Sequence, residues 1–178
     1  PTLNEEEKRL LDSPILIEQL HEALKRLNRY SSPGSDGLTP QFYLSFWNII
    51  KQPLFDCFND SIENKTLSIS QRRAIITLLP KGQGDVIKHL KSWRPLSLTN
   101  TDYKIYSKIL AQRLQEVLKK LIHTDQVGYI AGRSINDHIR MIDDIILTAK
   151  IENLPGLIIS LDYQKAFDTV SKASILTT

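Results

Sequence analysis

Asp162 follows the apolar run Leu157-Ile158-Ile159-Ser160-Leu161, which is opened by the turn pair Pro155-Gly156. That pattern predicts a short buried strand with a carboxylate at its tip. A charge in such a place is costly unless something pairs with it. A divalent cation suits, because Mg²⁺ takes one or two carboxylates and shares the rest of its shell with substrate phosphates. In two-metal phosphoryl transfer the ions activate the attacking hydroxyl and stabilise the leaving oxygen. The segment Ser160 to Asp168 also admits a plainer reading, in which Asp162 caps the following helix and Asp168 is a solvated helix residue.

Two further segments carry chemistry-bearing types. Leu79-Pro80-Lys81 is followed by the turn Gly82-Gln83-Gly84 and then by Lys91, Trp93 and Arg94. A hairpin curling over a nucleotide needs cations at its base, and the planar fork of Arg bonds two phosphate oxygens at once. The same residues fit an ordinary exposed turn, and the Gly-Lys-Ser/Thr ending of a phosphate-binding P-loop is missing. Gln126-Val127-Gly128-Tyr129-Ile130-Ala131-Gly132-Arg133-Ser134 combines two glycines, an aromatic and a cation. It can track a nucleic-acid strand by stacking and phosphate contact, or simply connect two helices through a buried tyrosine. Asp143-Asp144 is the one Asp-Asp pair. It falls on the polar side of a helical pattern whose buried face is Ile139, Ile142 and Ile146, which makes it a solvated face. Cys57, beside Phe55 and Phe58, is the single cysteine. It excludes an internal disulfide and any cysteine-built zinc site and reads as a buried, inert thiol.

These residues need elements to hold them. Ser13-Pro14 predicts a helix start, with Ile17, Leu20, Leu24 and Leu27 forming one buried stripe. Turn chemistry from Ser31 to Gly37 ends it. A second helix is expected over Pro40 to Ile62, ended or kinked at Pro53. Ala74 to Leu79 and Arg94 to Leu98 predict a β-hairpin with a long basic tip. A long amphipathic helix should follow over Asp102 to Ile122. Its apolar side is Ile105, Ile109, Leu110, Leu114, Val117, Leu118 and Leu121, and Lys104, Lys108, Arg113, Lys119 and Lys120 supply positive charge. Another helix carries Ile135, Ile139, Ile142, Ile146 and Ala149 to about Lys150. The fold class is therefore α+β, helices packed on a small sheet.

The chain of 178 residues is 41% hydrophobic and 24% charged, which fits a folded domain and excludes a disordered one. No apolar run approaches the roughly 20 residues of a membrane span, and Pro1-Thr2-Leu3-Asn4 with the glutamates after it is no signal peptide. Net charge is +3, but unevenly placed. Residues 71–120 hold 11 Lys/Arg against 3 Asp/Glu, whereas residues 1–70 hold 7 against 10 and residues 121–178 hold 5 against 7. The middle segment is where a polyanion would be held.

Taken in order, Pro33-Gly34-Ser35-Asp36-Gly37-Leu38-Thr39-Pro40-Gln41-Phe42-Tyr43, Thr77 to Lys81, Trp93-Arg94-Pro95-Leu96-Ser97-Leu98-Thr99-Asn100, Gln126 to Ser134 and Leu161 to Asp168 resemble the successive blocks of non-LTR (LINE-type) retrotransposon reverse transcriptases. The resemblance runs from about Ser13 onward. Trp93 to Asn100 sets it apart from group II intron and retron enzymes. It implies a partial right-hand polymerase fold: residues 1–30 as a helical extension of the fingers, 31–100 as fingers with the β-hairpin, and 101–178 as the start of the palm. It further implies a fragment of an RNA-directed DNA polymerase, acting on an RNA template, a DNA primer and deoxynucleoside triphosphates with Mg²⁺. Asp162 matches the first catalytic aspartate and metal ligand, aided by the backbone carbonyl of Tyr163. Lys81 and Arg94 match the cations that grip the incoming triphosphate. Phe167 matches the aromatic beneath the sugar, where a ring would clash with a ribose 2′-hydroxyl. Gln126, Gly128 and Arg133 fall in the block along the template.

The family's Asp-Asp motif lies after the block holding Asp162, so this chain by itself is expected to be inactive. The alternative is a copy acting only as a nucleic-acid-binding module. An intracellular, nuclear or cytoplasmic, location is expected. An open sheet without partner strands also predicts exposed apolar surface and poor solubility.

Overall fold

The structure is a computed structural model and describes residues 2–82, 89, 92–163, 170–171 and 173–174. Phe167, Lys165, Asp168 and Lys91 lie outside the described residues. Among the described residues eight elements follow one another: α1 (Glu5–Asp12), α2 (Ile17–Lys25), α3 (Pro40–Ser45), α4 (Trp47–Glu63), β1 (Ala74–Pro80), β2 (Trp93–Thr99), α5 (Thr101–Leu121) and α6 (Ile135–Ile151). They fall into two compact units, Pro1–Ala131 and Gly132–Thr178. The described chain is thus mixed helix and strand, with one two-stranded antiparallel sheet.

The first unit is built on one core. Leu20, Ala23 and Leu24 of α2 meet Tyr43 of α3, Leu54 and Phe58 of α4, and Ile105 and Ile109 of α5. Each fully buried side chain of this size contributes roughly 1.5–3 kcal/mol. The predicted stripes of α2 and α5 thus meet in the core, although Leu110 and Leu114 stay outside it at 38% and 47% exposure. A ring stack adds to the α2–α4 contact: His21 lies on Trp47 with centroids 4.7 Å apart and planes 9° from parallel.

Four helix boundaries differ from expectation. Asn4 opens α1 with a capping box, accepting from the Glu7 amide at 2.8 Å while its own amide donates to Glu7 Oε2 at 2.7 Å. The Asn-x-x-Glu spacing is a sequence-level start signal. Ser13 closes α1 instead of opening α2, which begins at Ile17. The helical stretch after Pro40 breaks at Phe46, where φ is −105° and ψ is 18°. Pro53 neither ends nor splits α4. Its missing N–H costs about 3 kcal/mol in a helix interior, and burial of Leu54 and Phe58 just beyond it offsets that loss.

The second unit corrects two expectations. Leu157–Leu161 adopts no regular secondary structure, and Leu157 and Leu161 are 84% and 90% exposed. A strand must pair its backbone N–H and C=O groups, and no partner strand stands among the described residues of this unit. The apolar stripe of α6 is likewise not a buried face: the helix has no buried residue, and Ile139 and Ile142 are about half exposed. No described helix is long and apolar enough to cross a membrane.

Candidate nucleotide and nucleic-acid site

The hairpin forms with the predicted residues, Ala74 facing Thr99 and Pro80 facing Trp93. Beyond the last pair, the Lys81 amide donates to the Ser92 carbonyl at 2.7 Å, carrying the ladder one step toward the tip. Side chains directly opposite share a face, and so do residues two apart on one strand. Arg94 faces Leu79, so Arg94 and Lys81 project from the same face as diagonal neighbours, about 7–8 Å apart at the backbone. Both are exposed. Two cations on one face of an exposed ribbon offer the charged donors that phosphate oxygens accept from. Thr77, Leu96 and Ile75 continue that face, which gives the cations an uncharged floor.

The block from Gln126 is held against α5 by one side chain. Gln115 Nε2 donates to the Tyr129 carbonyl at 2.7 Å, and Gln115 Oε1 accepts from the Ala131 amide at 2.9 Å. Between these two bonds Ile130 is buried, while Tyr129 is 89% exposed in a left-handed conformation, φ 63°. The tyrosine is therefore displayed outward, against the buried-connection reading. A Cβ added at Gly128 would meet nothing within 4 Å. Packing among the described residues therefore gives no reason for glycine there. Gln126 is exposed beside it, its amide donating to the His123 carbonyl at 3.1 Å. Gln115 was not singled out from the sequence; only its place on the polar side of α5, facing the next block, could have marked it.

Arg113, by contrast, leaves the set of available cations. It is 7% exposed, and its guanidinium donates to the Ser13 carbonyl, to the Pro14 carbonyl at 2.9 Å and to Gln19 Oε1 at 2.9 Å. It clamps the α1–α2 connection. Lys120 pairs with Glu7 at 2.8 Å and Lys104 donates to the Ser32 carbonyl at 2.6 Å. The basic segment thus spends part of its charge inside the fold. Cys57 is half-buried, and burial pushes its thiol upward, with Gln71 donating to its sulfur at 3.6 Å. A thiol held protonated is not a nucleophile.

In the second unit, Asp162 and Tyr163 are exposed and adjacent, in chain without regular structure. A carboxylate and a carbonyl are hard oxygen donors of the kind Mg²⁺ takes. Among the described residues, however, no group of three or more His, Cys, Asp or Glu is placed to hold an ion. Among the described residues, Asp162 and the Tyr163 carbonyl alone are too few donors for an octahedral ion. Asp143 and Asp144 are exposed on α6, as a solvated face should be. Arg133 is half-exposed just before Ser134, which caps α6 by accepting from the Asn136 amide at 3.2 Å.

Known proteins decide among the chemistries this arrangement allows. The family model "Reverse transcriptase (RNA-dependent DNA polymerase)" matches residues 79–178, beginning near the end of β1. The chain belongs to this family. It is also 38% identical over its whole length to the transposon TX1 uncharacterized 149 kDa protein of Xenopus laevis, of which it spans 14%. Over 91% of the chain it is 30% identical to the retrovirus-related Pol polyprotein from type-1 retrotransposable element R2 of Popillia japonica, of which it spans 21%. The probable RNA-directed DNA polymerase from transposon BS of Drosophila melanogaster is 24% identical over 88% of the chain. The chain is thus a LINE-type reverse transcriptase region and spans about a fifth or less of the relatives it matches. Reverse transcriptases in general work with divalent metal ions.

Proposed function

We propose that this reverse transcriptase region supplies the nucleotide grip and part of the template track of an RNA-directed DNA polymerase encoded by a non-LTR retrotransposon. The observation that carries the proposal is the hairpin register, which sets Lys81 and Arg94 on one face. In this reading they hold the triphosphate of an incoming deoxynucleotide. Phe167, outside the described residues, screens the sugar. Gln126, Gly128 and Arg133 lie along the RNA template, the Gly128 backbone being open to close approach. Asp162 and the Tyr163 carbonyl give the first ligands of a Mg²⁺ pair that other residues complete. The assignment makes 1–30 an extension of the fingers, 31–100 the fingers and 101–178 the start of a right-hand palm. It requires a DNA primer and an intracellular setting.

The test is direct. Titration of the chain with a deoxynucleoside triphosphate should show saturable binding that Arg94→Ala and Lys81→Ala each weaken about tenfold, roughly the worth of one charge-assisted hydrogen bond. Primer extension by the same 178 residues should give no product, because Asp162 and the Tyr163 carbonyl do not by themselves complete a Mg²⁺ pair. Unchanged triphosphate affinity in both variants would overturn the grip, and metal-dependent DNA synthesis by the chain would overturn the division of labour.

A further inference from the structure

The hairpin is a cantilever. Residues on both of its faces are exposed, Ile75 at 45% and Ile76 at 66%, so the described residues leave its angle to be fixed at the root. There, one residue separates the end of β2 at Thr99 from the start of α5 at Thr101: Asn100, which is 2% exposed. Its Nδ2 donates to the carbonyl of Ser70, in the connection entering β1, at 3.2 Å. Its Oδ1 accepts from Ser35 Oγ at 3.4 Å. One amide therefore ties the way into the hairpin, the way out of it and the 33–38 loop. Thr101 Oγ1 fastens the same loop by donating to the Leu38 carbonyl at 2.6 Å. Gly34 is buried against this junction, where an added Cβ would overlap Asn100 Oδ1 and stand 2.7 Å from the Thr99 carbonyl carbon. Any side chain at Gly34 would force the Asn100 backbone to move.

We propose that Asn100, with Gly34 packed on it, is a positioning residue that sets the angle of the β1–β2 hairpin and so acts through Lys81 and Arg94 on the nucleotide. The inference rests on the hairpin's proposed role as triphosphate grip. Leverage makes the root matter. Arg94 lies five residues from Thr99, roughly 17 Å at about 3.4 Å per residue. A tilt of about 5° at the root then moves Arg94 by roughly 1.5 Å, and misplacement of about 1 Å can cost a hundredfold in a reaction that depends on orientation.

Hydrogen–deuterium exchange on the whole chain, combined with titration by tripolyphosphate, separates this role from general stability. Asn100→Ala should raise exchange of the β1 and β2 amides about tenfold. Ser35→Ala, which removes one bond and leaves the packing in place, should raise it about threefold. In both, amides over Leu20–Leu24 and Ile105–Ile109 should keep their rates. Tripolyphosphate affinity should fall about tenfold in Asn100→Ala, and adding Asn100→Ala to the Lys81→Ala and Arg94→Ala double variant should lower it no further. Unchanged hairpin exchange in both variants overturns the inference. So does faster exchange with unchanged affinity, or a rise in core exchange equal to the rise in the hairpin for Ser35→Ala. Absence of tripolyphosphate binding by the unsubstituted chain overturns the grip itself; a bolt that fails on its own account is recognised instead by unchanged hairpin exchange.

Discussion

Arg113 shows how a charge counted in the sequence can be taken out of circulation by the fold. Its guanidinium donates to the Ser13 and Pro14 carbonyls, and its Nε is buried without a partner among the described residues. The side chain is thus a strut between α5 and the α1–α2 connection. Arg113→Ala should cost about 2–4 kcal/mol, from charge-assisted bonds lost and carbonyls left unpaired, and Arg113→Lys should recover only part because an ammonium lacks the fork. Urea unfolding with an unchanged midpoint in Arg113→Ala would remove the strut. His21 takes up its proton less readily than a surface histidine. Burial lowers its pKa, the neighbouring Lys25 charge adds to this, and Glu22 opposes it. The unfolded chain then binds the proton more readily than the folded one, so stability is full above the ordinary histidine pKa of about 6.5 and declines as pH falls through it. Thermal midpoints measured from pH 8 to 5.5 should decline for the parent chain. They should flatten in His21→Phe, which keeps a ring on Trp47.

At the scale of elements, legibility followed whether a segment's signal was local. The hairpin was readable because β-rich runs and a turn-rich tip lie close together in sequence, and its register then placed Lys81 beside Arg94. The stripes of α2 and α5 were readable because both meet one core. The break at Phe46 carries no proline or glycine, and Pro53, which signals a break, is overridden by the packing of Leu54 and Phe58. Gln115 and Asn100 were invisible as positioners, since their partners lie 14 to 16 and 30 to 65 residues away. Periodicity in α6 announced an apolar face correctly but not whether anything covers it. Ile139→Glu with Ile142→Glu should therefore leave the unfolding midpoint of the first unit within about 0.5 kcal/mol and raise solubility. A loss of several kcal/mol would show that the stripe is covered in solution.

For the molecule as a whole, the question is how much of the basic segment faces outward. The sequence gives an excess of eight positive charges over residues 71–120. The structure puts Arg113 in the interior, pairs Lys120 with Glu7 and turns Lys104 to a backbone carbonyl. The charge left facing outward for a nucleic acid is therefore smaller than the composition implies. Counterion release makes that countable: the logarithm of affinity for a single strand falls with the logarithm of salt by about 0.7 per phosphate neutralised. Eight contacts would give a slope near −6, whereas three to five give about −2 to −3.5. Binding of single-stranded RNA to the chain between 50 and 300 mM salt should show the shallower slope, and Arg94→Ala should reduce it by about 0.7 where Arg113→Lys leaves it unchanged. A slope near −6 would mean that the cations held by Glu7 and by backbone carbonyls are released to the strand on binding, and a flat response would mean that the hairpin grips no phosphate at all.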